Sequence, residues 1–122
     1  MQLILVVDDN PDVRMALTTL LRDEGYEVEE ASDGDVGLDA ARAHKPDLIL
    51  LDLMMPRMDG FETLRQLKSD EDLSNVPVVV LTARRGSDDR VLARELGATD
   101  YLNKPWDEGG LEAAVKNALE PD

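Results

Sequence analysis

The sequence predicts an α/β fold built on a doubly wound parallel sheet of five strands with five helices. Three observations carry this expectation. Apolar runs alternate with helical patterns from one end of the chain to the other. The runs within residues 3–7, 47–51 and 76–81 are almost wholly apolar, as strands covered on both faces are. Strictly alternating strands and helices connect most simply as crossovers between parallel strands.

The elements follow in order. Leu3-Ile4-Leu5-Val6-Val7 reads as a fully buried strand that stops on Asp8 and Asp9. Asn10 is a good N-cap and Pro11 suits the first helical position. The helix then places Val13, Leu17, Leu20 and Leu21 on one face, and Gly25 closes it. Residues 26–31 alternate polar and apolar, as a strand near a sheet edge does. Asp33-Gly34 reads as a turn, and Val36, Leu38, Ala40 and Ala41 mark a second, less cleanly amphipathic helix.

Residues 47–51 form the third strand, ending on Asp52. Asp59-Gly60 turns into a helix carrying Phe61, Leu64 and Leu67, and residues 69–75 form a polar loop. The fourth strand spans 76–81, with Pro77 at its start, where a missing donor is tolerated. A helix from about 88 ends near Gly97, and residues 99–102 make a short fifth strand. Residues 107–119 form the last helix, weakened at its start by Gly109-Gly110.

The 122 residues predict one domain, 1–122, large enough for a real core. No apolar stretch approaches the roughly 20 residues that cross a bilayer, and residues 1–7 have neither a basic n-region nor a long h-region. Neither a membrane association nor a signal peptide is expected. With no cysteine there is no disulfide or thiolate chemistry, which is compatible with the cytoplasm. A net charge of −14 argues against direct nucleic-acid binding by this domain.

In such sheets ligands bind beyond the carboxyl ends of the strands. The polar residues at these ends are Asp8 and Asp9, Asp52, Thr82 and Lys104. Three acids brought together repel one another and call for a metal ion, and a nearby lysine offers a point charge to a phosphate.

These residues lie in five motifs: Val6-Val7-Asp8-Asp9-Asn10, the stretch from Asp52 through Met54-Met55-Pro56-Arg57-Met58 to Asp59-Gly60, Leu81-Thr82-Ala83, Gly97-Ala98 and Lys104-Pro105. With all five in this order the chain resembles, over essentially its whole length, the receiver domain of bacterial two-component response regulators. The resemblance implies a flavodoxin-like sheet of order 2-1-3-4-5. It also implies that Asp52 is the phosphoacceptor for a phosphohistidine on a sensor histidine kinase or phosphotransfer protein. Asp9 would bind Mg²⁺ directly, Asp8 through water, and Met54 through its main-chain carbonyl, with Asp52 completing the site. Lys104 would pair with a phosphoryl oxygen, and a cis Lys104-Pro105 bond is implied. Thr82 and Tyr101 would form the switch, and the face of the fourth helix, fifth strand and fifth helix would control a partner or output domain. A receiver is no enzyme in the ordinary sense, since it catalyses only its own phosphorylation and dephosphorylation.

Met55 and Met58 read as packing residues. Arg84, Arg85, Arg90 and Arg94 read as a salt-bridged helix surface, with an acidic partner or water control by Arg84 as the functional alternative. The competing reading is a Mg²⁺-dependent phosphatase of the haloacid-dehalogenase type. That class places its nucleophile after the first strand in a D-x-D pattern, whereas residue 10 here is Asn. Pro121-Asp122 fits either the end of a stand-alone receiver or a boundary before an output domain.

Overall fold

A computed structural model describes residues 1–84 and 86–120. Arg85, Pro121 and Asp122, read above from sequence, lie outside the described residues. Among the described residues the order is β1 (Leu3–Val7), α1 (Pro11–Asp23), β2 (Glu27–Ala31), α2 (Gly34–His44), β3 (Leu48–Leu51), α3 (Gly60–Ser69), β4 (Val78–Thr82), α4 (Ser87–Glu95), β5 (Asp100–Asn103) and α5 (Glu108–Leu119). All pairings are parallel, in the order β2-β1-β3-β4-β5.

β1, β3 and β4 are interior strands, so their side chains are buried on both faces, which is why their sequences show no alternation. One face packs Leu5, Val7, Ile49, Leu51, Val78 and Val80 against α2 and α3 residues such as Leu38 and Leu64. The other packs Ile4, Val6, Leu48, Leu50, Val79 and Leu81 against Leu17 and Leu21 of α1 and Leu111 and Val115 of α5. β2 lies at the edge, and its alternation follows from that position.

The helix ends behave as their residues dictate. The Asn10 side chain accepts from the amides of Asp12 and Val13, with Pro11 at the first helical position. α1 closes with a left-handed Gly25, whose N–H donates to Arg22 O while that of Tyr26 donates to Leu21 O. α4 closes in the same way on Gly97 and Ala98.

Three details differ from the sequence reading. Asp33-Gly34 is no free turn: Asp33 is the N-cap of α2, accepting from the Val36 amide, and Gly34 is already helical. Val36 is exposed, so the packed face of α2 is Gly37, Leu38 and Ala41. The polar loop after α3 carries a fully buried apolar residue, Leu73.

Candidate functional site

Parallel strands that end together bring the acids together. β1 and β3 are paired with Val7 opposite Leu51, so Asp8 and Asp52 leave the sheet side by side. Oxygens of Asp8, Asp9 and Asp52 lie within 4.8 Å of one another. Asp8 and Asp52 are only 2 % and 5 % exposed, while Asp9 faces solvent.

Lys104 enters from the end of β5. Its Nζ donates to Asp8 Oδ2 at 2.6 Å and to Asp52 Oδ2 at 3.2 Å. The cation that the resemblance assigned to a phosphoryl group thus bridges two carboxylates. Burial pushes the Asp8 carboxyl above its usual range, and the hydrogen bonds from Lys104 and the Asn10 amide only partly offset this. Burial also weakens the Lys104 charge, but the Asp8 hydrogen bond and the nearby Asp52 and Asp8 charges outweigh it and hold its pKa above the usual value. The Lys104-Pro105 bond is cis.

The donor set fits a hard divalent cation. Two nearly buried carboxylates and the exposed Asp9 beside them, with Lys104 answering only part of their charge, are the all-oxygen ligands that Mg²⁺ prefers. The Met54 amide donates to Asp52 Oδ1 at 3.2 Å, and its side chain is 53 % exposed beside the site. Met55 is buried and Met58 packs against the same core, as the sequence reading expects.

Thr82 ends β4 and is fully buried, and its Oγ1 accepts the Arg84 amide at 3.2 Å. Its carbonyl accepts the Lys104 amide at 2.9 Å, which ties it to the acid cluster through the backbone. Tyr101 points inward at 2 % exposure, with its hydroxyl donating to Arg84 O at 2.9 Å. Burial raises the Tyr101 pKa, with the Asp89 charge adding to it, so the phenol stays a donor. Arg84 forms two hydrogen bonds with Asp89 and lies over the Phe61 ring, while Arg90 lies over Tyr101.

Several contributors were not singled out from sequence. Arg14 donates to the Asp8 carbonyl at 2.6 Å and pairs with Glu30. Arg57, with a positive φ of 65°, reaches Asp33 Oδ2 at 2.6 Å and ties the β3–α3 loop to α2. Asn103 donates to the carbonyl of Arg84. Position offered a signal for Asn103 alone, since it too ends a strand.

The family model of the response regulator receiver domain matches residues 4–116. The chain belongs to the response regulator receiver domain family. It is therefore a receiver domain of two-component signalling. It is 40 % identical over 116 residues to Protein PilH of Pseudomonas aeruginosa, covering 95 % of this chain and 96 % of that protein. It is 46 % identical over 118 residues to the DNA-binding response regulator MtrA of Mycolicibacterium smegmatis, covering 97 % of this chain but 50 % of that protein. The chain thus spans nearly all of the first relative and about half of the second. Among solved structures it resembles the Vibrio cholerae chemotaxis protein CheY4 with a TM-score of 0.92 and 32 % identity, covering 98 % of this chain and 99 % of that one. The receiver fold and the strand order that the resemblance implies are both present. The comparisons give the haloacid-dehalogenase reading no support.

Proposed function

We propose that residues 1–122 act as a single receiver domain whose Asp52 takes a phosphoryl group from a phosphohistidine. The donor is a sensor histidine kinase or phosphotransfer protein. An Asp52 carboxylate oxygen attacks phosphorus, an O–P bond forms and the P–N bond to the histidine breaks. The histidine leaves with the electron pair of that bond, and the product is an acyl phosphate on Asp52.

One observation carries the reading. Two nearly buried carboxylates share the Lys104 ammonium, with a third acid beside them, at the end of the sheet where ligands bind. Asp8, Asp9 and Asp52, with the Met54 carbonyl, are the proposed Mg²⁺ ligands. Mg²⁺, when bound, supplies a hard divalent charge that offsets the acids and the transferred group. Lys104 already lies against Asp52, the carboxylate that would carry the phosphoryl group, and would pair with one of its oxygens. Thr82 and Tyr101 are the proposed switch pair, acting on the face of α4, β5 and α5 that engages a partner or output domain. Such a domain catalyses only its own phosphorylation and dephosphorylation, and the proposed place of action is the cytoplasm.

The test is Asp52→Asn, which removes the nucleophile and keeps the shape. With acetyl phosphate and MgCl₂, intact-mass measurement should find one phosphoryl group on the wild type and none on the variant. A fully labelled variant would place the acceptor elsewhere.

A further inference from the structure

The carbonyl of Arg84 is a meeting point for two side chains of β5. The Tyr101 hydroxyl donates to it at 2.9 Å and the Asn103 amide at 2.8 Å. The same Asn103 nitrogen lies 3.4 Å from the Thr82 carbonyl, which also accepts the Lys104 amide at 2.9 Å. A carboxamide nitrogen carries two protons and can serve two carbonyls, which an aliphatic side chain cannot. Asn103 lies opposite Thr82 in the β4–β5 pairing and directly precedes Lys104.

The consequence is mechanical. The chain leaving β4 is held at the Thr82 and Arg84 carbonyls by residues 103 and 104. Residue 104 also grips Asp8 and Asp52 through its ammonium. The Arg84 amide in turn donates to Thr82 Oγ1, so the orientation of that hydroxyl depends on where the Arg84 peptide sits. Tyr101 holds the same carbonyl from the interior, with its ring buried and covered by Arg90. Asn103 holds it from the residue next to Lys104.

Resting on the reading of Asp52 as phosphoacceptor, we infer that Asn103 is a positioning residue for phosphoryl transfer. Its side-chain amide ties the Arg84 peptide, and through it the Thr82 hydroxyl, to the strand end that carries Lys104. A shift of Lys104 is thereby passed to Thr82 and Arg84. Asn103 itself touches neither the acids nor the transferred group.

The experiment uses Asn103→Leu, similar in size without a donor, and Asn103→Asp, the same shape with acceptors only. Asn103 is part-exposed at the end of an edge strand, so both variants should fold, as circular dichroism melts would show. Both should still take one phosphoryl group from acetyl phosphate. The labelling rate at saturating donor should fall about tenfold, comparable to the loss of roughly one hydrogen bond. For Asn103→Leu, which changes no charge, the donor concentration for half-maximal rate and the Mg²⁺ midpoint should stay within about twofold, because no ligand is lost. Hydrogen exchange of the Arg84 amide in the unphosphorylated protein should accelerate by a similar factor of about ten. Combining Asn103→Leu with Tyr101→Phe should give a non-additive loss, since both donors serve one acceptor. A wild-type labelling rate in either variant overturns the inference, as does slow labelling with unchanged Arg84 exchange. An unlabelled wild type would instead sink the Asp52 reading and this inference with it.

Discussion

A Cβ on Gly60 would collide with the carbonyl oxygen of Asp52 and the Cα of Leu53, both backbone atoms that cannot turn aside. The Gly60 N–H also donates to Leu53 O at 3.0 Å, closing the loop that carries Met54 and Arg57. The glycine therefore lets the start of α3 lie against the backbone of the proposed phosphoacceptor. Gly60→Ala should cost about 2–4 kcal/mol in urea unfolding, through a forced backbone shift. Gly25 offers the contrast, because its φ of +97° needs glycine but no atom lies within 4 Å of an added Cβ. Gly25→Ala should cost only about 1–2 kcal/mol from backbone strain. Equal losses in the two variants would mean that the close approach at Asp52 is not what requires Gly60.

At the scale of elements, what was legible in the sequence was what depends on neighbours in the chain. Asn10-Pro11 starts α1, Gly25 and Gly97 end α1 and α4, and the uninterrupted apolar strands lie inside the sheet, all as local chemistry dictates. The strand-end acids and Lys104 were legible because parallel strands end on one side. The Asp33 cap, although local, reads in the sequence as a turn, and the Arg57–Asp33 tie and the Asn103–Arg84 bond left no local signal. The two latter join residues 24 and 19 positions apart and leave no periodic trace. The bridging of Asp8 by Lys104, across 96 positions, was foreseen as proximity but not as an ion pair. Local chemistry also makes a prediction for α5. Asp107 caps this helix through the Gly110 amide, and an added Cβ at Gly109 or Gly110 would meet Asp107 no closer than 3.6 Å. Gly109→Ala and Gly110→Ala should each raise stability by about 0.5–1 kcal/mol, since alanine loses less backbone freedom in a helix. Thermal melts of the single and double variants would check this, and a lowered melting temperature in either single variant would contradict it.

Over the whole molecule, 27 acidic side chains face 13 basic ones, and acids crowd together at the site. Asp8 and Asp52 share the ammonium of Lys104 there, with Asp9 beside them, and burial raises the Asp8 pKa in the fold. An acid with a raised folded pKa binds its proton more tightly in the native state than in the unfolded chain. Between the unfolded value, near 3.8, and the higher folded value, stability therefore falls as pH rises. Asp8→Asn removes this titration. In EDTA the variant should match the wild type below about pH 4, then become the more stable protein as pH rises. By pH 7 the variant should be the more stable of the two. Magnesium should act in the opposite sense, because a bound cation offsets the repulsion that the variant has already reduced. At ten times its Kd it should stabilise the wild type by about 1.4 kcal/mol, and at the same dose the variant by less. Thermal melts from pH 4 to 8, in EDTA and in millimolar MgCl₂, separate the two effects. If Asp8→Asn is less stable than the wild type at pH 7 in EDTA, the Lys104 ion pair outweighs the burial of Asp8. If Mg²⁺ raises both proteins equally, Asp8 does not share a metal site with Asp9 and Asp52.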